Sequence, residues 1–368
     1  MGILIFILVL VALIVVHEFG HFVAAKIFGM RVDEFGLGYP PRALTIATKG
    51  ETKYTLNWIP FGGFVKIYGE NSDAVSTEHT GRAFTDKNRL AQAIVLVAGV
   101  AMNLVFAYVL ITAALITGTP RALAPEEIMH AKNPELAVAD VLPGSPAARA
   151  GLVPGDIILG AEDGHFTFSG ADPTEFTHFV STSNGNATIM LSVRRGNGEI
   201  DSVTARPEAG IVGDDPSRYA LGLSVATIGV VSLSFGQAII EGAQLTWGAT
   251  IATAQGLLHF FAGVFTFTAD LSQVSGPVGI AGAVGSASAQ GIGDLLSLMA
   301  VISINLALIN LIPIPALDGG RLLFVIIESI IRRPIRPTIV QAVNGVSFAL
   351  LILLMIVVTF HDLYKIVG

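Results

Sequence analysis

The sequence predicts a polytopic α-helical membrane protein with four transmembrane helices, a membrane-associated β-hairpin region and a separate α+β domain. The 368-residue chain is 52% hydrophobic and 13% charged, with a mean hydropathy of +0.69, too apolar for a soluble protein of this length. Four runs with almost no charge reach the roughly 20 residues that a membrane-spanning helix needs. The more polar segments between them contain the alternating pattern of β-strands.

The four transmembrane helices are expected at residues 1–24, 90–117, 293–318 and 339–360. The first run is as apolar as a signal peptide, but it has no basic start and continues to Ala25 without a cleavage site. We therefore expect it to remain in the protein as a membrane helix.

Lysine and arginine are distributed unevenly between the connecting segments. Segment 25–89 holds nine and the short loop 319–338 holds four, whereas the much longer stretch from Gly118 to Ile292 holds seven. By the positive-inside rule the first two segments face the cytoplasm and the long one faces outward. The net charge of −7 and the lack of a basic patch argue against nucleic acid as a partner.

A metal-binding pattern lies in the first helix. His17, Glu18 and His21 form an HExxH sequence after an uncharged run. The two histidines are four residues apart, so they project from one helix face and can meet on a single Zn²⁺, with Glu18 as candidate general base. Polar groups are costly at membrane depth, so we expect an ion or a water-filled cavity there. A pair of core histidines without metal is the alternative.

A third zinc ligand is expected from Asp318. The chain has no cysteine, so its ligands must be imidazole or carboxylate. The charge distribution places Asp318 at the same cytoplasmic depth as His21. Pro313 and Pro315 remove helix donors, so we expect the third helix to unwind before Asp318. The alternative is an ordinary Pro-Gly turn with Asp318 in solvent.

Segment 229–292 decides whether this geometry is attainable. Residues 237–268 are apolar enough to span the membrane, and a full crossing would carry Asp318 to the membrane face opposite His21. We therefore expect an interfacial amphipathic or re-entrant helix, which several glycines in the segment also favour.

The outward segment 125–228 is expected to form the α+β domain. Residues 141–148 and 151–158 predict a strand, a short helix and a tight turn into a second strand, and residues 188–205 predict a β-hairpin. The Ser-Pro-Ala and Gly-Leu-x-x-Gly-Asp sequences resemble those of a PDZ module. PDZ modules bind extended peptides at a sheet edge. A structural domain without a ligand is the alternative.

The cytoplasmic segment 25–89 is expected to be a β-rich re-entrant loop. Two strand patterns flank Gly50, and apolar residues lie on both sides of the Gly62-Gly63 pair. We expect a hydrophobic hairpin that dips toward the metal from the cytoplasmic side, whose free edge at Phe61–Ile67 could hold a substrate strand. A surface hairpin lying on the membrane is the alternative.

Several motifs together resemble the site-2 protease family of intramembrane zinc metalloproteases, in its bacterial four-span branch that regulates extracytoplasmic stress sigma factors. The similarity covers nearly the whole chain, although the best-studied enterobacterial member carries two PDZ modules and this chain has one. The motifs are HEFGH, the Ile59–Lys66 stretch, Gly99-Val100-Ala101-Met102-Asn103, Ser275–Ile280 and Asn310–Gly320.

The resemblance implies that His17, His21 and Asp318 bind zinc and that Glu18 is the catalytic acid and base. It implies a substrate-contacting role for Asn310, and we expect Gly62, Gly63 and Phe64 to hold the unwound substrate. The implied substrates are single-span membrane proteins such as anti-sigma factors, together with remnant signal peptides. The implied location is a bacterial inner membrane, with the active site toward the cytoplasm and the PDZ module outside.

Two other readings compete with the protease. A membrane-anchored PDZ adaptor without catalytic activity would bind no stoichiometric zinc and would tolerate Glu18→Gln. A different zinc protease architecture would take its third ligand from a downstream glutamate. Glu328 is the acidic residue available between Asp318 and Asp362, and no second motif surrounds it.

Overall fold

The computed structural model contains two compact units, one formed by Met1–Ile116 with Ser234–Gly368 and the other by Thr117–Leu233. It describes residues 2–367 apart from 71–80, 125–127, 129–130, 184–186, 197, 212–217 and 267–275. The helices are α1 (Gly2–Ile27), α2 (Arg89–Thr117), α3 (Pro146–Arg149), α4 (Pro173–Thr182), α5 (Phe235–Thr266), α6 (Pro277–Gln290), α7 (Ile292–Leu311), α8 (Asp318–Ile331) and α9 (Pro337–Val367). The strands are β1 (Val32–Lys49), β2 (Thr52–Ile67), β3 (Thr119–Ala122), β4 (Lys132–Val141), β5 (Ile157–Glu162), β6 (Thr167–Phe168), β7 (Ile189–Arg194), β8 (Ile200–Ala205), β9 (Glu208–Ala209), β10 (Tyr219–Ala220) and β11 (Leu223–Val231).

Among the described residues, four helices are long and apolar enough to cross a membrane: α1, α2, α7 and most of α9. They correspond to the four expected spans. The 32-residue helix α5 is not among these four helices, and the expectation that segment 229–292 is interfacial or re-entrant stays a prediction. That segment contains the end of β11, then α5 and α6, while residues 267–275 lie outside the described residues.

The third predicted span, 293–318, is too long. Helix α7 ends at Leu311, residues 312–317 are not helical, and a new helix begins at Asp318. The break follows from the two prolines, which cannot donate to the helix ladder, and Ala316 adopts a left-handed φ of 81°. The expected loop 319–338 is therefore largely the helix α8, whose first residue is the predicted zinc ligand.

Strands β1 and β2 form one long antiparallel hairpin. The tight turn lies at Gly50, and Gly62 and Gly63 lie inside β2. Glu34–Leu37 pair with both Lys53–Leu56 and Gly63–Lys66. This inner segment therefore uses both of its edges. The final part of β2, which pairs with it, keeps an outer edge that no described strand occupies.

The hairpin is fixed to the membrane helices by a shared apolar cluster. Met30, Val32 and Ile67 are buried with Val95 of α2 and Val325 of α8. A second cluster joins α1 to α6 through Val9, Leu13 and Val284. Helix α1, which carries the HExxH sequence, is thus held by neighbours on several sides.

The Thr117–Leu233 unit contains a seven-stranded sheet in the order β3-β11-β4-β5-β7-β8, with β6 paired to β5. The predicted hairpin at residues 188–205 is present as β7 and β8, with Ile189 opposite Ala205. Helix α4 packs Phe176 and Phe179 against a core that includes Leu136, Ile158 and Leu191. The strands extend to both ends of the unit, beyond the expected boundaries 125–228.

Two polar residues fix the turns of this unit. Ser145 caps α3 by accepting from the Ala148 amide, as a serine at a helix N-cap commonly does. Asp156, which is 1% exposed, accepts a hydrogen bond from the Val153 amide and one from Arg195 at 2.6 Å. This buried ion pair ties the turn before β5 to the end of β7.

Candidate metal centre

Three side chains from two distant parts of the chain meet at one point. The Nε2 atoms of His17 and His21 lie 3.1 Å apart. Asp318 Oδ2 lies 2.9 Å from His17 Nε2 and 3.2 Å from His21 Nε2. The two histidines are 7% and 8% exposed. The structure therefore brings together all three residues that the sequence nominated as metal ligands.

This donor set fits a zinc ion. Zinc takes imidazole nitrogen and carboxylate oxygen at about 2.0–2.2 Å in a tetrahedron, which places neighbouring ligand atoms about 3.3 Å apart. The three separations here are 2.9, 3.1 and 3.2 Å. Three protein ligands leave the fourth position for water or substrate, as in catalytic rather than structural zinc sites.

The second ring nitrogens of both histidines are also engaged. His21 Nδ1 donates to the backbone carbonyl of Val95 at 2.8 Å. His17 Nδ1 lies 3.1 Å from the side-chain nitrogen of Asn103, which is fully buried. Both contacts come from α2, so this helix orients the two rings while α8 supplies the carboxylate.

Close approach of α1 and α2 depends on two glycines. A Cβ on Gly20 would lie 2.3 Å from the backbone oxygen of Ala98. A Cβ on Gly99 would lie 2.3 Å from His21 Nε2 and 2.8 Å from His17 Cε1. The sequence assigned no role to Gly99, because the need for a missing side chain is visible only when the opposite helix is in place.

Glu18 lies between the ligands and the outer edge of β2. Its carboxylate accepts a hydrogen bond from the backbone amide of Val65. Glu18, His21 and Asp318 line one cavity of about 450 Å³, together with Gly63 to Ile67 of β2. A free strand edge and a candidate general base therefore face the same space.

Some of the other predicted substrate-binding residues line the cavity, and others do not. Gly63 and Phe64 line the cavity. Gly62 has a φ of 101°, and a Cβ there would lie 2.6 Å from the Tyr39 ring, so its role is to let Tyr39 approach the strand. Asn310 lies half-buried near the end of α7 and is not among the described residues that line the cavity.

An ion pair lies in the lining of the cavity. Arg321, one turn after Asp318 on α8, donates to the carboxylate of Glu70, whose side chain is 11% exposed. Glu70 also accepts from the Ile67 amide at the end of β2. Burial raises the pKa of the Glu70 carboxyl, and the Arg321 guanidinium opposes that shift.

One face of α8 carries this pair and three further contacts. Asp318, Arg321, Val325 and Glu328 recur at helical spacing. Val325 is buried against α1 and α2, and Glu328 pairs with Arg89 at 2.7 Å. The position of the Asp318 carboxylate is thus set by the packing of the whole helix. Neither ion pair was foreseen from the sequence, since the partners of each are more than 200 residues apart.

These features define a class of protein. Two histidines and a glutamate on an apolar helix, with an aspartate from another helix, are the side chains that a metallohydrolase centre uses, and the chain has several helices apolar enough to cross a membrane. A family profile described as Peptidase family M50 matches residues 5–354. The chain belongs to this family, the site-2 proteases, and is a zinc-dependent metalloendopeptidase.

Two bacterial relatives match along almost their entire length. The Oceanobacillus iheyensis protein named "Zinc metalloprotease RasP" is 30% identical over 98% of this chain and 98% of its own. The Clostridium perfringens protein named "Putative zinc metalloprotease CPE1693" is 34% identical over 96% of this chain and 95% of its own. A solved PDZ domain of the SdrC-like protein from Listeria monocytogenes covers 24% of this chain and 85% of its own, at 20% identity and a TM-score of 0.21, too low to show a shared fold.

Proposed function

We propose that this metalloendopeptidase hydrolyses a peptide bond within or next to the transmembrane helix of single-span membrane proteins, such as anti-sigma factors and remnant signal peptides. The observation that carries the proposal is the meeting of His17, His21 and Asp318 on helices of an apolar unit. A hydrolytic centre at that depth is reached by a lipid-embedded segment more readily than by a soluble chain.

The charge distribution supports the sidedness that we propose for the protein. Nine lysines and arginines lie in segment 25–89, and four lie between residues 319 and 338. We place both segments at the cytoplasmic face of a bacterial inner membrane, and the Thr117–Leu233 unit outside. The active site then opens toward the cytoplasm.

Glu18 is the proposed catalytic acid and base. Zinc held by His17, His21 and Asp318 supplies Lewis-acid activation of water and of the scissile carbonyl. Glu18 takes the proton from the attacking water and then delivers it to the nitrogen of the leaving amine. The Val65 amide, which donates to the Glu18 carboxylate, orients this side chain toward the cavity.

The outer edge of β2 is the proposed substrate-binding strand. A transmembrane helix keeps its amides in its own hydrogen bonds, so it must unwind before cleavage, and its freed groups need new partners. Alternate amides of a strand point to the same edge, so Gly63 and Val65 both present theirs to the cavity. Substrate added there as an extended strand would lie beside Glu18. Asn310 is retained in this proposal as a second contact for the unwound segment.

Replacing Gly63 with proline tests the strand-addition step. Proline removes the outward amide, whereas alanine keeps it and adds a Cβ 3.1 Å from the Gly36 oxygen. We expect Gly63→Pro to reduce cleavage of a membrane helix much more than that of a soluble unfolded peptide, and Gly63→Ala to affect the two substrates alike. Equal losses with Gly63→Pro would contradict the proposed docking.

The Thr117–Leu233 unit is proposed to be a PDZ-type module that receives an extended peptide. A cavity of about 280 Å³ lies between α4 and the segment 218–225, with Phe176, Val180 and Leu223 in its lining. Anisotropy titration of labelled peptides with free C-termini against the full-length protein tests this role. Binding that Val180→Glu abolishes would support it. Peptides that fail to bind the wild type would show that the unit acts otherwise, for example as a size filter.

The catalytic proposal is tested by three purified proteins in detergent: wild type, Glu18→Gln and Asp318→Ala. We expect wild type to hold one zinc and to cleave a model transmembrane helix. Glu18→Gln should keep the zinc and lose activity by several powers of ten, and Asp318→Ala should lose both. The adaptor reading predicts no stoichiometric zinc and undiminished function after Glu18→Gln, so either result would refute the protease.

A further inference from the structure

Asn103 makes a fully buried polar contact with the metal centre. Its side chain is 0% exposed on α2, and its nitrogen lies 3.1 Å from His17 Nδ1. Its side-chain oxygen is buried without a hydrogen-bond partner among the described residues. Ser303 of α7 donates to the backbone oxygen of Asn103 at 2.8 Å, which fixes this part of α2. A buried carboxamide with one unpartnered atom is uncommon and calls for a physical reason.

The two histidines show what the carboxamide must do when metal is present. A carbonyl can only accept, so the contact with Val95 at 2.8 Å shows that His21 carries its proton on Nδ1. Its Nε2 lone pair then faces Asp318 and the metal position. His17 also directs Nε2 to that position. A neutral His17 that binds zinc through Nε2 must therefore carry its proton on Nδ1, toward Asn103.

The carboxamide can meet that proton in only one orientation. With its NH₂ toward His17 Nδ1, two donors would face each other. A half-turn about the Cβ–Cγ bond exchanges nitrogen and oxygen and places the oxygen at the same separation of 3.1 Å, within the range of an N–H···O hydrogen bond. The oxygen then accepts the proton of His17, and the nitrogen takes the buried position that the oxygen otherwise holds.

We propose that Asn103 is a positioning residue of the metal centre, whose side-chain oxygen accepts the Nδ1 proton of His17 and holds the ring in its zinc-binding tautomer. The inference rests on the proposed zinc centre. Without an acceptor at Nδ1, His17 can move its proton to Nε2 and donate to the Asp318 carboxylate, which is 2.9 Å away. In that tautomer the nitrogen has no lone pair for the metal. Asn103 thus favours one of two proton arrangements that the same three side chains can adopt.

Three substitutions separate this role from packing. Asn103→Leu keeps a similar volume without an acceptor, and Asn103→Asp keeps the acceptor. Ser303→Ala disturbs the same residue through its backbone and leaves the carboxamide intact, so it is the matched control. Loss of a partner that orients a metal-ligating histidine commonly lowers metal affinity about 10–100-fold, and we expect that loss for Asn103→Leu. Asn103→Asp and Ser303→Ala should stay close to wild type.

The measurement is zinc affinity in detergent micelles by competition with a chromogenic chelator, with the visible spectrum of the Co²⁺-substituted protein as a report on ligand geometry. We expect a weakened Kd and an altered Co²⁺ spectrum for Asn103→Leu alone. Wild-type affinity in Asn103→Leu would overturn the inference and leave the zinc centre standing. Equal losses in Asn103→Leu and Asn103→Asp would also overturn it, since the side chain would then matter only for packing. Absence of zinc binding by the wild type would instead refute the proposed function.

Discussion

Gly99→Ala is the sharpest test of how the metal centre is built. The added Cβ would lie 2.3 Å from His21 Nε2 and 2.8 Å from the Cε1 atoms of both His17 and His21. Ordinary carbon contacts begin near 3.5 Å, so His21 must move by about 1 Å. Helix α2 cannot easily move instead, because its register on α1 is set where Gly20 meets Ala98.

A displacement of this size is much larger than the variation in ligand distance that a zinc site tolerates. Ligand distances in zinc sites vary by about 0.2 Å, so a shift of about 1 Å removes His21 from the coordination sphere. A misplacement of this size commonly costs about 100-fold in rate. We expect Gly99→Ala to weaken zinc binding at least tenfold and to reduce cleavage of a model membrane helix by about 100-fold or more.

The assay pairs zinc competition with cleavage of a fluorogenic membrane helix in the same micelles. Gly248→Ala on α5 is the matched control, because a Cβ there meets nothing within 4 Å. It should leave both readouts unchanged. If Gly99→Ala binds zinc and cleaves as the wild type does, the close packing of α2 against the histidines is not what positions them.

Three further predictions concern the surroundings of the site and the Thr117–Leu233 unit. Removing one partner of the Glu70–Arg321 pair should lower the free energy of unfolding by about 1–3 kcal/mol, less than for a fully buried pair because Arg321 is 36% exposed. In thermal melts, the double variant with Glu70→Arg and Arg321→Glu should recover part of that loss. Asp362→Leu removes the carboxylate that accepts from the first amides of α6, at 2.8 and 3.2 Å, and should cost about 1 kcal/mol, most of which Asp362→Asn restores. The Phe166 and His165 amides and the Ser183 hydroxyl lower the pKa of Asp163. The contribution of Asp163 to folding stability is therefore complete above the ordinary aspartate pKa, and it disappears as the pH falls through the lowered pKa. The test is pepsin digestion of wild type and Asp163→Asn at the same pH. Near this loop the variant should be cleaved more than the wild type at mildly acidic pH, and the difference should disappear in strong acid.

The sequence predicted the parts of the centre that depend on local spacing. His17 and His21 share a helix face because they are four residues apart, and the prolines before Asp318 predicted the helix break that the structure shows between Leu311 and Asp318. The charge distribution also predicted that Asp318 would lie at the depth of His21, and the two side chains are in contact. These features follow from periodicity and composition alone.

Other features depend on contacts between distant segments, which periodicity does not encode. Leu37 pairs with Gly63 as well as with Leu56, and spacing along the chain does not predict that double pairing. The roles of Gly99 and Asn103 appear only when α2 packs on α1. Each of these residues belongs to a recognisable motif, but its physical function is set by the partner it meets.

Zinc-edge X-ray absorption of the purified full-length protein tests the central claim most directly. The account predicts one zinc per chain with two imidazole nitrogens at about 2.0–2.1 Å and a carboxylate oxygen at about 2.0–2.2 Å, and the loss of that oxygen in Asp318→Ala. A spectrum without the imidazole signature, or one that Asp318→Ala leaves unchanged, would contradict it.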